Sequence, residues 1–174
     1  TAAGQLTALL GTYTALIQLV LMSRSPWLEQ LFGMHRLAGW HRWIGFTTLW
    51  LLLGHGVLTT VGYAAMDRTS APAELWTLLT TYPYVLMATA GMGMFIAVGV
   101  TSVRMARRKL AYETWHVIHL YAYLAIALAT AHQLVVGSDF MHDPLARVYW
   151  LSLYGLTAAL MLTFRFGQPI WLSA

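Results

Sequence analysis

The sequence predicts an all-α integral membrane protein, a single-domain bundle of five transmembrane helices over residues 1–174. Three observations predict it. Hydrophobic residues make up 59% of the chain and charged ones 9%, with a mean hydropathy of +0.61. Six acids and ten bases cannot clothe the polar surface that a soluble fold of this size needs. Five runs contain no Asp, Glu, Lys or Arg, at 1–23, 43–66, 75–103, 114–138 and 148–164. The charges between those runs also fall unevenly on two sides, as a membrane-inserted chain requires.

Crossing about 30 Å of hydrocarbon takes roughly 20 apolar residues in a helix. Four runs exceed that length, and the last, at 17 residues, is just long enough. The first helix is placed near 4–22 and stops before Arg24. The second, near 40–62, occupies the run between Arg42 and Asp67. A short amphipathic helix then starts at Pro72, a residue suited to the first helical turn, with Leu75, Trp76, Leu78 and Leu79 on the membrane interface. The third span lies near 83–104 and ends in the Arg104, Arg107, Arg108, Lys109 cluster. The fourth, near 113–136, opens after Tyr112. The fifth, near 145–166, has Asp143 as its cap and Pro144 as its first residue.

Loops alternate sides, so the charges orient the chain. Arg24, Arg36, Arg42, Arg104, Arg107, Arg108, Lys109 and Arg165 fall on one side; only Arg68 and Arg147 fall on the other, beside Asp67, Glu74, Asp139 and Asp143. The positive-inside rule places the first side in the cytoplasm. The expectation is a multi-pass protein of a bacterial plasma membrane, with its N-terminus outside and its C-terminus cytoplasmic. The second and fourth spans then run parallel. The isoelectric point near 9.6 does not indicate nucleic acid, because the few bases sit between apolar runs as orientation signals. With no cysteine, the chain makes no disulfide, no thiolate-bound iron–sulfur cluster and no covalent haem attachment.

Two spans carry most of the histidines. An ionisable residue within a membrane is costly unless partnered, so each is a functional candidate. His55 follows His41 by fourteen residues, about 40° short of four turns, which puts both on one helix face about 21 Å apart. The fourth span carries His116, His119 and His132. Because the two spans run parallel, His41 meets His119 near the cytoplasm and His55 meets His132 toward the outside. Neutral imidazole is an axial ligand of haem iron, and the spacing suits two b haems stacked across the bilayer. His119 and His132 lie about 140° apart around a straight helix, and His116 and His132 about 160°, so periodicity alone does not choose between His116 and His119. Interhelical hydrogen bonding and a quinone or proton path are the alternatives, although the spans lack the Asp or Glu that a proton relay would add.

The stretch His41-Arg-Trp-Ile-Gly45, with Gly54-His55, then Tyr112-Glu-Thr-Trp-His-Val-Ile-His119-Leu-Tyr-Ala-Tyr123 and His132, resembles the ferric reductase transmembrane domain. That superfamily includes NADPH oxidases, metalloreductases and bacterial flavocytochromes. The resemblance implies that His119, six residues after Glu113, is the ligand, and that His116 packs beside it. It implies six helices, so one N-terminal helix is expected beyond this chain. An FAD and NAD(P)H domain is likewise expected on a following segment or a partner chain. Arg42 is a candidate contact for haem propionates. Gly45, Gly54 and Gly56 are candidates for close porphyrin approach or for helix packing. Ala125 stands where some relatives carry an aromatic between the haems, a space that Trp50 or Tyr123 would fill instead. His35 reads as a loop residue, and Asp139, His142 and Asp143 either bind an outside metal ion or cap a helix.

The function implied is the membrane part of an oxidoreductase, of the NAD(P)H oxidase or ferric reductase type. Electrons pass from cytoplasmic flavin through two bis-histidine b haems to oxygen or ferric iron outside. The alternative is a quinone-linked haem subunit that serves a partner redox protein.

Overall fold

The computed structural model describes residues 1–103, 108–137 and 141–167. Arg104, Arg107 and Asp139, which enter the charge argument, lie outside the described residues. The helices are α1 (Ala2–Leu21), α2 (Pro26–Phe32), α3 (Met34–Met66), α4 (Ala71–Thr81), α5 (Val85–Ser102), α6 (Tyr112–Val136) and α7 (Pro144–Leu160), the last continuing into a π-helical segment, Met161–Gly167. Five of them are long and apolar enough to cross a membrane: α1, α3, α5, α6 and α7 with its extension. They coincide with the five expected spans.

Two differences have physical causes. First, α3 is 33 residues long, about 50 Å, against about 30 Å of hydrocarbon. Its opening turns therefore extend past the apolar run, and His35 and Arg36 lie exposed on this helix rather than in a loop. Second, the stretch read as a loop contains α2. Ser25 precedes it, Pro26 opens it and Glu29 stands in its first turn, a combination that favours a helix start. Gly33, at φ 75°, makes the turn between α2 and α3, a backbone region that glycine enters without penalty. Leu21, Leu28 and Leu37 close into one buried cluster that holds this corner.

The amphipathic helix is present, starting one residue earlier at Ala71, with Leu75 and Trp76 exposed and Leu78 buried. Asp143 caps α7 as expected: its carboxylate accepts hydrogen bonds from the Leu145 and Ala146 amides at 2.9 and 3.2 Å.

The five long helices form a ring. α1 runs antiparallel to α3, with Gly4 beside Thr59, Gly11 beside Leu52 and Gln18 beside Gly45. These are close approaches, since a Cβ added at Gly11 would sit 2.8 Å from Leu52 Cδ2. α3 meets α5 where Gly99 receives Leu49. α5 pairs antiparallel with α6 through Gly91, where an added Cβ would lie 3.0 Å from the Ala125 carbonyl oxygen. α6 joins α7 through Gln133, whose Oε1 accepts from Tyr154 at 2.5 Å and from Thr12 of α1 at 3.3 Å. Tyr13 of α1 packs on Trp150 of α7, ring centres 4.5 Å apart, and closes the circle.

Small residues at such contacts let membrane helices approach closely, and polar side chains join them. The outward faces are apolar, with Trp43 69% and Trp50 71% exposed; lipid is the solvent they suit. In this order, α1, α3, α5, α6, α7, the helices α3 and α6 are not neighbours. They face each other across the interior, with α5 between them on one side and α1 and α7 on the other.

Candidate functional site

The four histidines are carried by the two facing helices, His41 and His55 by α3 and His119 and His132 by α6. The structure brings them together as two pairs. The His41 and His119 rings have centres 5.9 Å apart with planes crossing at 63°. One imidazole–metal bond is about 2 Å and the ring centre lies roughly 1.2 Å farther, so two imidazoles sharing one metal have centres about 6.4 Å apart, within about half an ångström of this separation. His55 and His132 lie farther along the same two helices, fourteen and thirteen residues beyond the first pair, with His132 within electrostatic reach of His55. Both pairings require α3 and α6 to run parallel.

Two of the four imidazoles have a partner at Nδ1; His41 is instead within hydrogen-bond reach of the Gln18 backbone. Nδ1 of His55 lies 2.8 Å from the Gly4 carbonyl oxygen and 3.3 Å from Thr59 Oγ1. A carbonyl only accepts, so Nδ1 carries the hydrogen and Nε2 is left as a bare lone pair, the tautomer a metal needs. Nδ1 of His119 lies 3.4 Å from Ser102 Oγ at the end of α5. The Trp115 indole donates to the same oxygen at 3.3 Å. By contrast, Nδ1 of His41 and Nδ1 of His132 are buried with no hydrogen-bond partner among the described residues. Leaving such an atom unpaired costs about 1–3 kcal/mol. Buried nitrogen donors unsatisfied by the chain, on rings facing a second imidazole, fit a haem held between α3 and α6.

The remaining candidates fall elsewhere. His116 stacks on Tyr112 of its own helix, ring centres 5.9 Å apart and planes 9° from parallel. Arg42 is exposed on α3, one residue beyond His41. Of the two readings for Gly45, the helix-packing one has the support of its neighbour: its Cα faces Gln18 on α1, whose Oε1 would lie 3.0 Å from an added Cβ. That is helix packing, and Gln18 is further tied to Thr48 at 2.8 Å. An added Cβ at Gly54 or Gly56 meets nothing within 4 Å.

Trp50 does not fill the space between the pairs. Nine residues after His41, it points about 180° away around the helix, into the lipid-facing surface. Ala125 is fully buried under Gly91 of α5, and Tyr123 packs on Phe166 of the π-helical segment. His35 and His142 are exposed.

Ser102, Gly4 and Gln18 escaped the sequence reading. Trp115 had a signal, since it precedes His119 by four residues and shares its face. Ser102 had none, because its contact with His119 exists only once α5 folds back on α6.

The family described as ferric reductase like transmembrane component matches residues 7–130, from α1 to within two residues of His132. The heme-binding subunit MsrQ of protein-methionine-sulfoxide reductase from Agrobacterium fabrum is 23% identical over 142 residues, 82% of this chain and 60% of that protein. The subunits of the same name from Bordetella parapertussis and Bordetella bronchiseptica are each 28% identical over 162 residues, covering 92% of this chain and 72% of each relative. The chain thus spans less than two thirds of the Agrobacterium protein. No solved structure matches. With more than half of its residues matched, in the region that builds the facing helices, the chain belongs to the ferric reductase like transmembrane component family.

Proposed function

We propose that this chain is a haem-binding membrane subunit that carries electrons across the bilayer to a partner redox protein on the outside. His41 and His119 would hold one b haem at the cytoplasmic level, and His55 and His132 a second at the outer level. The observation that carries this reading is the approach of His41 to His119 across the ring, at 5.9 Å between centres. Bound haem supplies one-electron redox chemistry. The protein's own part is to hold and orient it. The His55 imidazole is fixed by the Gly4 carbonyl and the His119 imidazole by Ser102. The surrounding helices exclude water, and Arg42 would neutralise a propionate at the cytoplasmic end.

Of the two routes open from the sequence, delivery to a partner protein has the support of the relatives, which are named as haem-binding subunits of a protein-methionine-sulfoxide reductase. The electron donor on the cytoplasmic side would be a flavin, with FAD and NAD(P)H on another domain or chain, or a membrane quinol. The second reading is reduction of oxygen or ferric iron; its ferric branch has the support of the family description.

A competition experiment separates them. The protein is reduced anaerobically in membranes and mixed with a soluble protein-methionine-sulfoxide reductase subunit, with air, or with a ferric chelate, while the haem bands are followed. Fastest reoxidation by the reductase subunit is expected. Reoxidation by ferric chelate or oxygen alone would replace this reading with the second.

A further inference from the structure

Resting on the proposed role of His119 as a ligand, we infer that Ser102, held in place by Trp115, is a positioning residue that sets the orientation and electron-donating strength of His119. Three contacts meet at one oxygen and one ring. The Trp115 indole N–H lies 3.3 Å from Ser102 Oγ, Ser102 Oγ lies 3.4 Å from His119 Nδ1, and the Trp115 and His119 rings pack 5.0 Å apart at 33°.

An indole nitrogen only donates, so it occupies one lone pair of the hydroxyl oxygen. If His119 binds iron through Nε2, its Nδ1 carries the hydrogen and donates to the other lone pair. The hydroxyl oxygen then accepts twice, which pins it between two rings on the same turns of α6. Trp115 and His119 are four residues apart and therefore stacked along one face. Ser102, at the end of α5, ties that face to the neighbouring helix.

The consequence is electronic as well as geometric. A hydrogen bond accepted from Nδ1–H raises the basicity of the ligating nitrogen and so favours the ferric state. An acceptor already shared with an indole donor is a weaker one than the peptide carbonyl that serves His55 at 2.8 Å. Ser102 therefore gives His119 a modest push, and the hydroxyl, rather than mere bulk, is what supplies it.

The test uses the purified full chain. Ser102→Ala should retain both haems but raise the midpoint potential of one, the same haem that His119→Ala eliminates, and alter its low-spin resonance signal. Ser102→Thr should restore both values, and Trp115→Phe, which keeps the ring but not the N–H, should move them less than Ser102→Ala. Unchanged potential and signal in Ser102→Ala at full haem content would overturn the inference. If Ser102→Ala loses the haem outright, recovery in Ser102→Thr supports the role of the hydroxyl and failure to recover overturns it. Failure of the underlying ligand reading looks different: His119→Ala would then keep both haems.

Discussion

At the scale of single residues, the imidazoles divide into those with a place in the interior and those without. His55 is anchored on Gly4 with its other nitrogen free, so His55→Ala should remove one haem and leave the other reducible, halving the Soret absorbance per chain. His116 stacks on Tyr112, and His116→Ala should leave haem content unchanged. A loss in that variant comparable to His119→Ala would reverse the assignment on α6. Asp143 has a structural role: Asp143→Ala deletes two capping bonds and should weaken the start of α7 by about 1 kcal/mol, seen as faster amide exchange at Leu145 and Ala146. The four histidines were legible because imidazole is rare in apolar spans and the fourteen-residue spacing keeps one face. The choice between His116 and His119 was not legible from periodicity and came from resemblance. His119 is the ring of the two that approaches His41. Ser102 was illegible, because its partner belongs to another helix.

Among the elements, helix ends were legible wherever charge interrupts an apolar run, which is why all five spans were found. Hydropathy has no such signal for α2, a seven-residue helix, or for the polar opening turns of α3. Helix-to-helix contacts were hidden for another reason: which glycine faces a neighbour depends on the packed arrangement. Gly45 shows this, being as suited by sequence to a porphyrin as to Gln18. At the α5–α6 contact, Gly91 lies against backbone rather than a flexible side-chain end. Gly91→Leu should therefore force the helices apart and cost about 1–3 kcal/mol, read as a lower unfolding temperature in detergent. The same substitution at Gly93, where an added Cβ meets nothing within 4 Å, should be tolerated. On α7, Tyr154→Phe removes one donor to Gln133 and should cost about 0.6 kcal/mol, typical of hydrogen bonds between membrane helices.

For the molecule as a whole, the ring order explains why the proposed ligands come from α3 and α6. These are the two helices that face each other across the interior, where His41 approaches His119, and they run parallel, so residues thirteen or fourteen apart on each fall at matching levels. The composition predicts a lipid-solvated bundle and the histidines predict its two working helices, but the circular order α1, α3, α5, α6, α7 follows from contacts that no local pattern encodes. The arrangement suits the proposed subunit, which would accept electrons at one face and release them at the other, with the proposed bis-histidine ligation leaving no open coordination position. The most direct measurement is the absorbance spectrum of the purified chain with its haem-to-protein ratio. About two low-spin b haems per chain are expected, with both axial positions filled by imidazole; one haem or none, or a high-spin spectrum with an open axial position, would overturn the proposed ligation.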